Sequence, residues 1–270
     1  MPPKPATPLR RALSLVFGWF ADLRVPVPLR VPLYRTWSVL TRSDLSEVLL
    51  PLSTFPSLGA FFVRHLVPGA RPFAEDAMLH SSPVDGTIQS IDRIRAGTVL
   101  QAKGRPYSVE ELLDGVGSDL DLEGGTAITI YLAPYNYHRI HSPEAGTLEE
   151  VHWVEGARYS VNPKVLAARE KVLSINERVV LRMECERGPY LLVLVGALNV
   201  GRIRVVGVEP GGNAKQPLQR FERGEELARF EMGSTIVLVW PEGVLQPSEP
   251  LTPGTPVHMG AELGRFLSRA

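Results

Sequence analysis

The chain has 270 residues, 29 Lys and Arg against 29 Asp and Glu, and a pI near 7.0. A composition 44% hydrophobic and 21% charged excludes wholesale disorder and suits one large domain or two of average size. The balanced charge argues against a nucleic-acid partner, and the single cysteine, Cys185, excludes an intramolecular disulfide and any multi-cysteine metal site.

The neutral total hides an asymmetry. Residues 1–43 carry seven Lys and Arg against Asp22 alone, a charge of +6, which leaves −6 for the remainder. Within this basic head, Leu13 to Phe20 is a continuous apolar run flanked by Arg10, Arg11 and Arg24. It is shorter than the roughly 20 apolar residues a bilayer span needs, and no small-residue cleavage site follows it. A second stretch, Pro32 to Leu50, mixes Leu33, Trp37, Leu40, Leu45, Val48 and Leu49 with Arg35, Arg42, Asp44 and Glu47. Short basic amphipathic helices with tryptophan suit a lipid–water interface. A helical hairpin packed on the body is the competing reading.

From residue 81 the pattern changes to short alternating runs broken by glycine. Val84–Ile91, Gly97–Lys103, Thr126–Leu132, Thr147–Trp153, Arg178–Glu184, Leu191–Val195, Arg202–Val208 and Thr235–Trp240 read as strands. Ser108–Leu113 reads as a short helix, with Ser108 as cap and two glutamates in the first turn. Closely spaced strands with 24 Gly and 24 Pro indicate an antiparallel or mixed β core. A G-x-E-L-x-R-F echo links Gly224–Phe230 with Gly260–Phe266. Such glycine-marked turns also resemble small barrel-sandwich carrier domains. Phosphate-binding glycine loops and a G-x-S-x-G elbow are absent from the sequence.

Three places hold residues able to do chemistry. Asp85 precedes Gly86 at the mouth of a strand, where a plain turn is the simpler reading. Tyr137, His138 and His141 lie in a Y-H-R-I-H-S-P segment, and the absence of a nearby third ligand favours acid–base work over metal binding. Gly233-Ser234-Thr235 opens an apolar strand, where glycine leaves its carbonyl unshielded against attack by the next hydroxyl. Together these supply Asp, His and Ser, the residue types of an imidazole-activated hydroxyl.

Several separated motifs resemble the phosphatidylserine decarboxylase family from about residue 55 onward. They are Pro83-Val84-Asp85-Gly86, Tyr137-His138-Arg139-Ile140-His141-Ser142-Pro143, Tyr159-Ser160-Val161-Asn162-Pro163, Asn176-Glu177-Arg178, Val195-Gly196-Ala197-Leu198-Asn199-Val200-Gly201, and Gly224-Glu225-Glu226-Leu227 leading to Gly233-Ser234-Thr235. The resemblance implies an α+β fold: a β-rich catalytic core of antiparallel or mixed sheets, barrel-sandwich-like, preceded by N-terminal amphipathic helices. It divides the chain into a membrane-associating segment, 1–54, and a core, 55–270.

It also implies self-cleavage between Gly233 and Ser234. A β chain of 1–233 and an α chain of 234–270 would result, with Ser234 converted to a covalent pyruvoyl group and no metal required. Asp85, His141 and Ser234 would form the cleavage triad, His141 as base and Asp85 fixing its tautomer. His138 would act in decarboxylation, and Ser160 and Tyr137 in holding substrate. The pyruvoyl ketone would form a Schiff base with phosphatidylserine and accept the electrons left by carbon dioxide. The expected product is phosphatidylethanolamine. The expected setting is an anionic membrane surface, peripherally, on the cytoplasmic face of a bacterial inner membrane, with the two chains held as a heterodimer that can assemble further.

Two positions depart from the family's usual pattern: Met232 where leucine is common, and Arg202 where a small residue is usual. An Asp/His/Ser hydrolase that forms no pyruvoyl and a non-catalytic barrel-sandwich lipid-binding module are the alternatives.

Overall fold

A computed structural model of the chain describes residues 18–101, 105–197, 202–231 and 234–268. The expected apolar run from Leu13 lies outside these residues up to position 17, and its end, 18–20, is helical, in a turn that runs on to residue 22. Helix α1, Val27–Thr41, starts after Pro26 with a second proline in its first turn, where a missing N–H costs nothing. A 3-10 turn at Leu52–Thr54 and α2, Leu58–Phe62, follow, and Ser57 caps α2 by accepting from the Ala60 N–H. Tyr34, Phe55 and Phe61 make a small core of their own, with Tyr34 stacked on Phe61 at 4.7 Å. The expected boundary at residue 54 therefore runs through this cluster. Among the described residues no helix is long and apolar enough to cross a membrane.

The body is mostly strand. In chain order come β1 (Leu79–Ser81), β2 (Gly86–Arg93), β3 (Thr98–Gln101), β4 (Arg105–Ser108), α3 (Val109–Leu113), β5 (Thr126–Leu132), β6 (Arg139–His141) and β7 (Gly146–Val154). Then come α4 (Pro163–Ala168), α5 (Val172–Ile175), β8 (Arg178–Cys185), β9 (Gly188–Gly196), β10 (Ile203–Val205), β11 (Ala214–Phe221) and β12 (Glu226–Phe230). The chain closes with β13 (Ser234–Trp240), β14 (Leu245–Pro247), β15 (Pro256–Val257) and β16 (Glu262–Phe266). All eight expected strands are present, with ends shifted by a few residues. Ser108 caps α3 as expected, accepting from the Glu111 N–H at 3.1 Å. Of the strands not anticipated, β1, β6 and β14 are too short to display an alternating pattern, and β11 is mostly polar and exposed.

Eight strands form one antiparallel sheet in the order β11-β7-β8-β9-β13-β5-β2-β15. It stays open, so the described strands close no barrel. Its middle strands are apolar on both faces because both are covered. One face packs Ile236, Leu238 and Trp240 against a core shared with two three-stranded sheets. The other packs Val237 and Val239 against α3, α4, α5 and the β3–β4 hairpin.

The two small sheets, β1-β16-β14 and β6-β12-β10, repeat one another. Ile140 pairs with Ala228 as His80 pairs with Gly264, and both ladders carry a register shift at the next residue. The Ser142 N–H donates to Glu225 O as the Ser82 N–H donates to Ala261 O. The G-x-E-L-x-R-F echo is thus one strand of a duplicated unit. Its other strand is written in the sequence as Ser82-Pro83-x-x-Gly86-Thr87 and Ser142-Pro143-x-x-Gly146-Thr147.

Candidate active site

The antiparallel order of the central sheet brings six chain segments to one end of it. The start of β2, the end of β5, the start of β13 and the end of β9 are neighbours, because Thr87 and Thr235 both pair with Tyr131 and Ser234 pairs with Leu132 and Gly196. The end of β7 and the start of β8 continue the same edge through Val154–Arg178 and Arg178–Val195. Asp85, His138, Ser234, Asn176 and Ser160 all lie on segments that leave this edge.

Ser234 is fully buried and its hydroxyl has no hydrogen-bond partner; the Thr235 hydroxyl beside it is in the same state. A buried hydroxyl left unpaired costs about 1–3 kcal/mol, a cost also borne by the Tyr107 and Tyr190 hydroxyls in the core. Gly233, the expected other side of the cleaved bond, lies outside the described residues, as does Met232.

His138 is held against Phe230 by the bond from the Phe230 N–H to its carbonyl, which places it four residues before Ser234 along the chain. Its ring lies 4.0 Å from the Phe62 ring. Nδ1 is 2.8 Å from the Asn136 carbonyl, which can only accept, so Nδ1 carries the proton and Nε2 the lone pair. Nε2 is buried without a partner. Burial pushes this imidazole down to about 3, opposed by the Asn136 bond and the Asp85 charge and assisted by Arg64, so the ring is neutral near pH 7.

His141 is built the same way. Its Nδ1 donates to the Gly224 carbonyl at 2.7 Å, and Nε2 accepts from the Tyr137 hydroxyl at 3.0 Å. Burial lowers its affinity for a proton, partly offset by the Gly224 bond.

Asp85 does not fix the His141 tautomer, as the sequence reading expected; the Gly224 carbonyl does. Both Asp85 oxygens are taken by Arg71, at 2.8 and 2.7 Å, and one also accepts from the Met259 N–H at 2.8 Å. Arg71 in turn meets Glu47 on the N-terminal segment at 2.8 Å. The charges felt at His141 are Glu226, Arg139 and His65, whereas that of Asp85 is felt at His138. Gly86 permits this placement: a Cβ there would lie 2.6 Å from the Ile130 side chain and 2.7 Å from the Tyr131 carbonyl. Any other residue would push β2 off β5.

Ser160 is positioned by a clamp. The Asn176 side chain accepts from the Tyr159 N–H and donates to the carbonyls of Tyr159 and Gly196, the latter being the register partner of Ser234. Ser160 itself accepts from the Asn162 N–H at 3.4 Å. The sequence quoted Asn176 only as part of a motif, and Arg71 and the Gly224 carbonyl carried no signal, since a backbone oxygen has no residue type. Among the described residues no group of three His, Cys, Asp or Glu is placed to hold a metal.

The phosphatidylserine decarboxylase family model matches residues 58–265. The chain belongs to the phosphatidylserine decarboxylase family. It is similar to the phosphatidylserine decarboxylase proenzyme of Anaeromyxobacter sp. strain K, 35% identical over 266 residues and 94% of each chain. It is 40% identical over 232 residues to that of Halorhodospira halophila, covering 83% of this chain and 79% of the relative. That of Marinobacter nauticus is 38% identical over 267 residues, 94% and 93% of the two chains. In this family's frame the unpaired Ser234 hydroxyl, the neutral His138 and the clamp on Gly196 fall on one sheet edge.

Proposed function

We propose that the chain is a self-processing decarboxylase that converts phosphatidylserine to phosphatidylethanolamine and carbon dioxide. The observation that carries this is the buried, unpaired Ser234 hydroxyl at the first position of the central strand, in a chain whose relatives are named proenzymes.

In processing, Ser234 Oγ attacks the Gly233 carbonyl carbon and its proton passes to the Tyr137 oxygen as the Tyr137 proton moves to His141 Nε2, the lone pair that the Gly224 carbonyl keeps basic. The peptide nitrogen leaves, making an ester at Oγ. Loss of the Ser234 α-proton then expels the Gly233 carboxylate, and water releases ammonia from the dehydroalanine that remains. The site fits the resulting pyruvoyl group: Ser234 and Thr235 hold no competing hydrogen bonds there. That group supplies a ketone that takes the substrate amine and accepts the electron pair left by carbon dioxide. His138 Nε2 holds and returns the proton to the substrate α-carbon, and Asp85, fixed by Arg71, favours the protonated form by its charge. Ser160 and the Tyr137 hydroxyl orient the headgroup.

Cleavage would not release the α chain. β13 pairs along its length with β5 and β9, both in the β chain, so the products stay together as a heterodimer. The basic head and the exposed Trp19, Phe20, Val39 and Leu40 suit peripheral docking on an anionic bilayer, the cytoplasmic face of a bacterial inner membrane.

Intact-mass measurement tests the reading. It predicts chains of residues 1–233 and 234–270, the smaller beginning in pyruvoyl, and phosphatidylethanolamine from phosphatidylserine vesicles. Ser234→Ala should abolish both. An active uncut chain, or a cleaved Ser234→Ala variant, would overturn it.

A further inference from the structure

A cavity of about 280 Å3 lies between the helical residues 18–22 and β10, lined by Gly18, Asp22, Ser57, Arg202, Arg204 and Glu231. Arg202 Nη1 lies 2.5 Å from Asp22 and 3.6 Å from Glu231, and Arg204 Nε lies 3.4 Å from Glu231. The Arg202 guanidinium also packs over Gly18, where a Cβ would sit 3.7 Å from Nη2. Two guanidinium groups thus face one cavity, each still about two-fifths exposed and open to a further ligand.

The scaffold does not ask for these charges. In the duplicated unit, the Leu267 N–H donates to Val244 O just as the Glu231 N–H donates to Arg202 O. Gln246 pairs with Arg265 where Arg204 pairs with Arg229. The same backbone is therefore built elsewhere in this chain with Val244, Gln246 and Leu267 in place of Arg202, Arg204 and Glu231. As surface ion pairs the charges are worth little, about 0–1 kcal/mol each, so stability does not account for them.

Position does. Glu231 is three residues before Ser234, and its backbone is bonded to Arg202. In the same helical turn as Gly18 and Ala21, which line the cavity, Trp19 and Phe20 are 64% and 60% exposed. A glycerophospholipid has this order of parts: a reacting amine, a phosphodiester a few bonds away, then acyl chains. Two arginine forks match the phosphodiester oxygens in charge and in planar donor geometry.

We propose that Arg202 and Arg204 form the seat for the headgroup phosphodiester, and that Asp22 holds Arg202 until the phosphate displaces it. This rests on the lipid decarboxylase reading for the identity of the substrate. The seat fixes how far the headgroup reaches toward Ser234 while the acyl chains stay on the apolar helix.

Two measurements on the processed enzyme test it. With soluble dihexanoyl phosphatidylserine, Arg202→Gln should raise KM about tenfold with little change in kcat, and Arg202→Lys should recover part of the loss. Asp22→Asn should lower KM, because it removes the competing carboxylate; a merely structural ion pair predicts the opposite sign. The second measurement is independent of turnover. Calorimetric binding of dihexanoyl phosphatidylglycerol, which has the phosphodiester but no amine to react, should be lost in the Arg202→Gln/Arg204→Gln double variant. That result would support the seat even if the wild type failed to decarboxylate phosphatidylserine. The proposal is overturned if the double variant binds and turns over soluble lipid as the wild type does, or if weakening appears only on anionic vesicles. It is also overturned if Asp22→Asn raises KM, or if inorganic phosphate at equal concentration displaces the lipid completely, which would make the site one for a bare anion. Intact mass confirms that each variant is cleaved, so that a change in KM is read on the mature chain.

Discussion

The sheets β6-β12-β10 and β1-β16-β14 are made from the same pattern of pairs, and comparing them separates what builds the fold from what does the chemistry. Common to both are the serine that donates to the carbonyl two residues on, Ser82 to Val84 and Ser142 to Glu144, and the buried Leu and Phe of the echo. What differs is polar and titratable. The His138 carbonyl accepts from the Phe230 N–H where that of Met78 accepts from the Phe266 N–H, and His141 stands opposite Glu226 where Ser81 stands opposite Glu262. Asp85 occupies the position that Ala145 holds in the other unit. Each unit thus contributes part of the site: the histidines come from one and the carboxylate from the other. A buried polar pair also bridges the two units, His80 of one with Glu144 of the other at 3.0 Å, under Trp240 and Phe266 and among core side chains.

The sharpest way to break this comparison is to neutralise one carboxylate from each place. Asp85→Asn should lower kcat for decarboxylation about a hundredfold or more in the processed enzyme, since it removes the charge that Arg71 holds beside His138. Glu144→Gln, also a buried change, should leave kcat intact and cost only about 1–2 kcal/mol of stability. Carbon dioxide release from soluble phosphatidylserine, with intact mass to confirm processing and circular dichroism to confirm folding, checks both. Equal kcat in the two variants would end the division between a working carboxylate and a structural one.

The glycines that open the two copies of the echo give a smaller contrast. Gly224 and Gly260 share φ +83, a left-handed conformation that a side chain strains by about 1–2 kcal/mol. Their surroundings differ. A Cβ on Gly224 meets the Phe73 ring at 3.1 Å, which can tilt away, whereas one on Gly260 runs into the backbone carbonyl of Pro72. Gly260→Ala should therefore cost about 3 kcal/mol or more and Gly224→Ala about 1–2, by urea denaturation. A reversed order would show that the segment at Pro72 yields more easily than the aromatic ring.

Much of this was legible in the residues. The eight expected strands showed through their apolar or alternating runs, which the mostly polar β11 lacks, and Ser108 showed as a cap because its hydroxyl competes for a free N–H at a helix start. Ser234, His138, His141 and Asp85 stood out as residue types suited to one reaction. The duplication was half visible, as the echo, while its partner strands carry only Ser-Pro, Gly and Thr in common, residues frequent in any turn. The tautomer of His141 was assigned to the wrong partner for a physical reason: a carboxylate can be read from a sequence, whereas the Gly224 carbonyl that does the work is a backbone atom brought there by strand pairing. Arg71 was missed likewise, because its value lies in meeting Asp85 and Glu47 at once, a long-range coincidence without a local pattern.

The last contrast is between His138 and Met78, which occupy equivalent places but only one of which titrates. Burial pushes His138 down to about 3, from an ordinary 6.5. Above 6.5 neither the folded nor the unfolded chain holds a proton there, so stability is at its full value. Below 6.5 the unfolded chain takes up a proton that the folded chain refuses until near 3, and stability is lost across that interval as pH falls. One such group contributes up to about 1.4 kcal/mol per pH unit, or about 2 kcal/mol between pH 7 and pH 5. His141 is pushed in the same direction by burial, so the wild-type slope should exceed that of a single site. Measured in a Ser234→Ala background, where no cleavage intervenes, urea denaturation at pH 7 and pH 5 should show the loss. His138→Gln should shrink it by the share of one histidine, because glutamine cannot titrate. Met78→Gln should leave the slope unchanged while lowering stability at both pH values. A slope untouched by His138→Gln would mean that this imidazole takes up its proton as readily in the folded chain as in the unfolded one, and that burial does not hold it neutral as the proposed proton transfer requires.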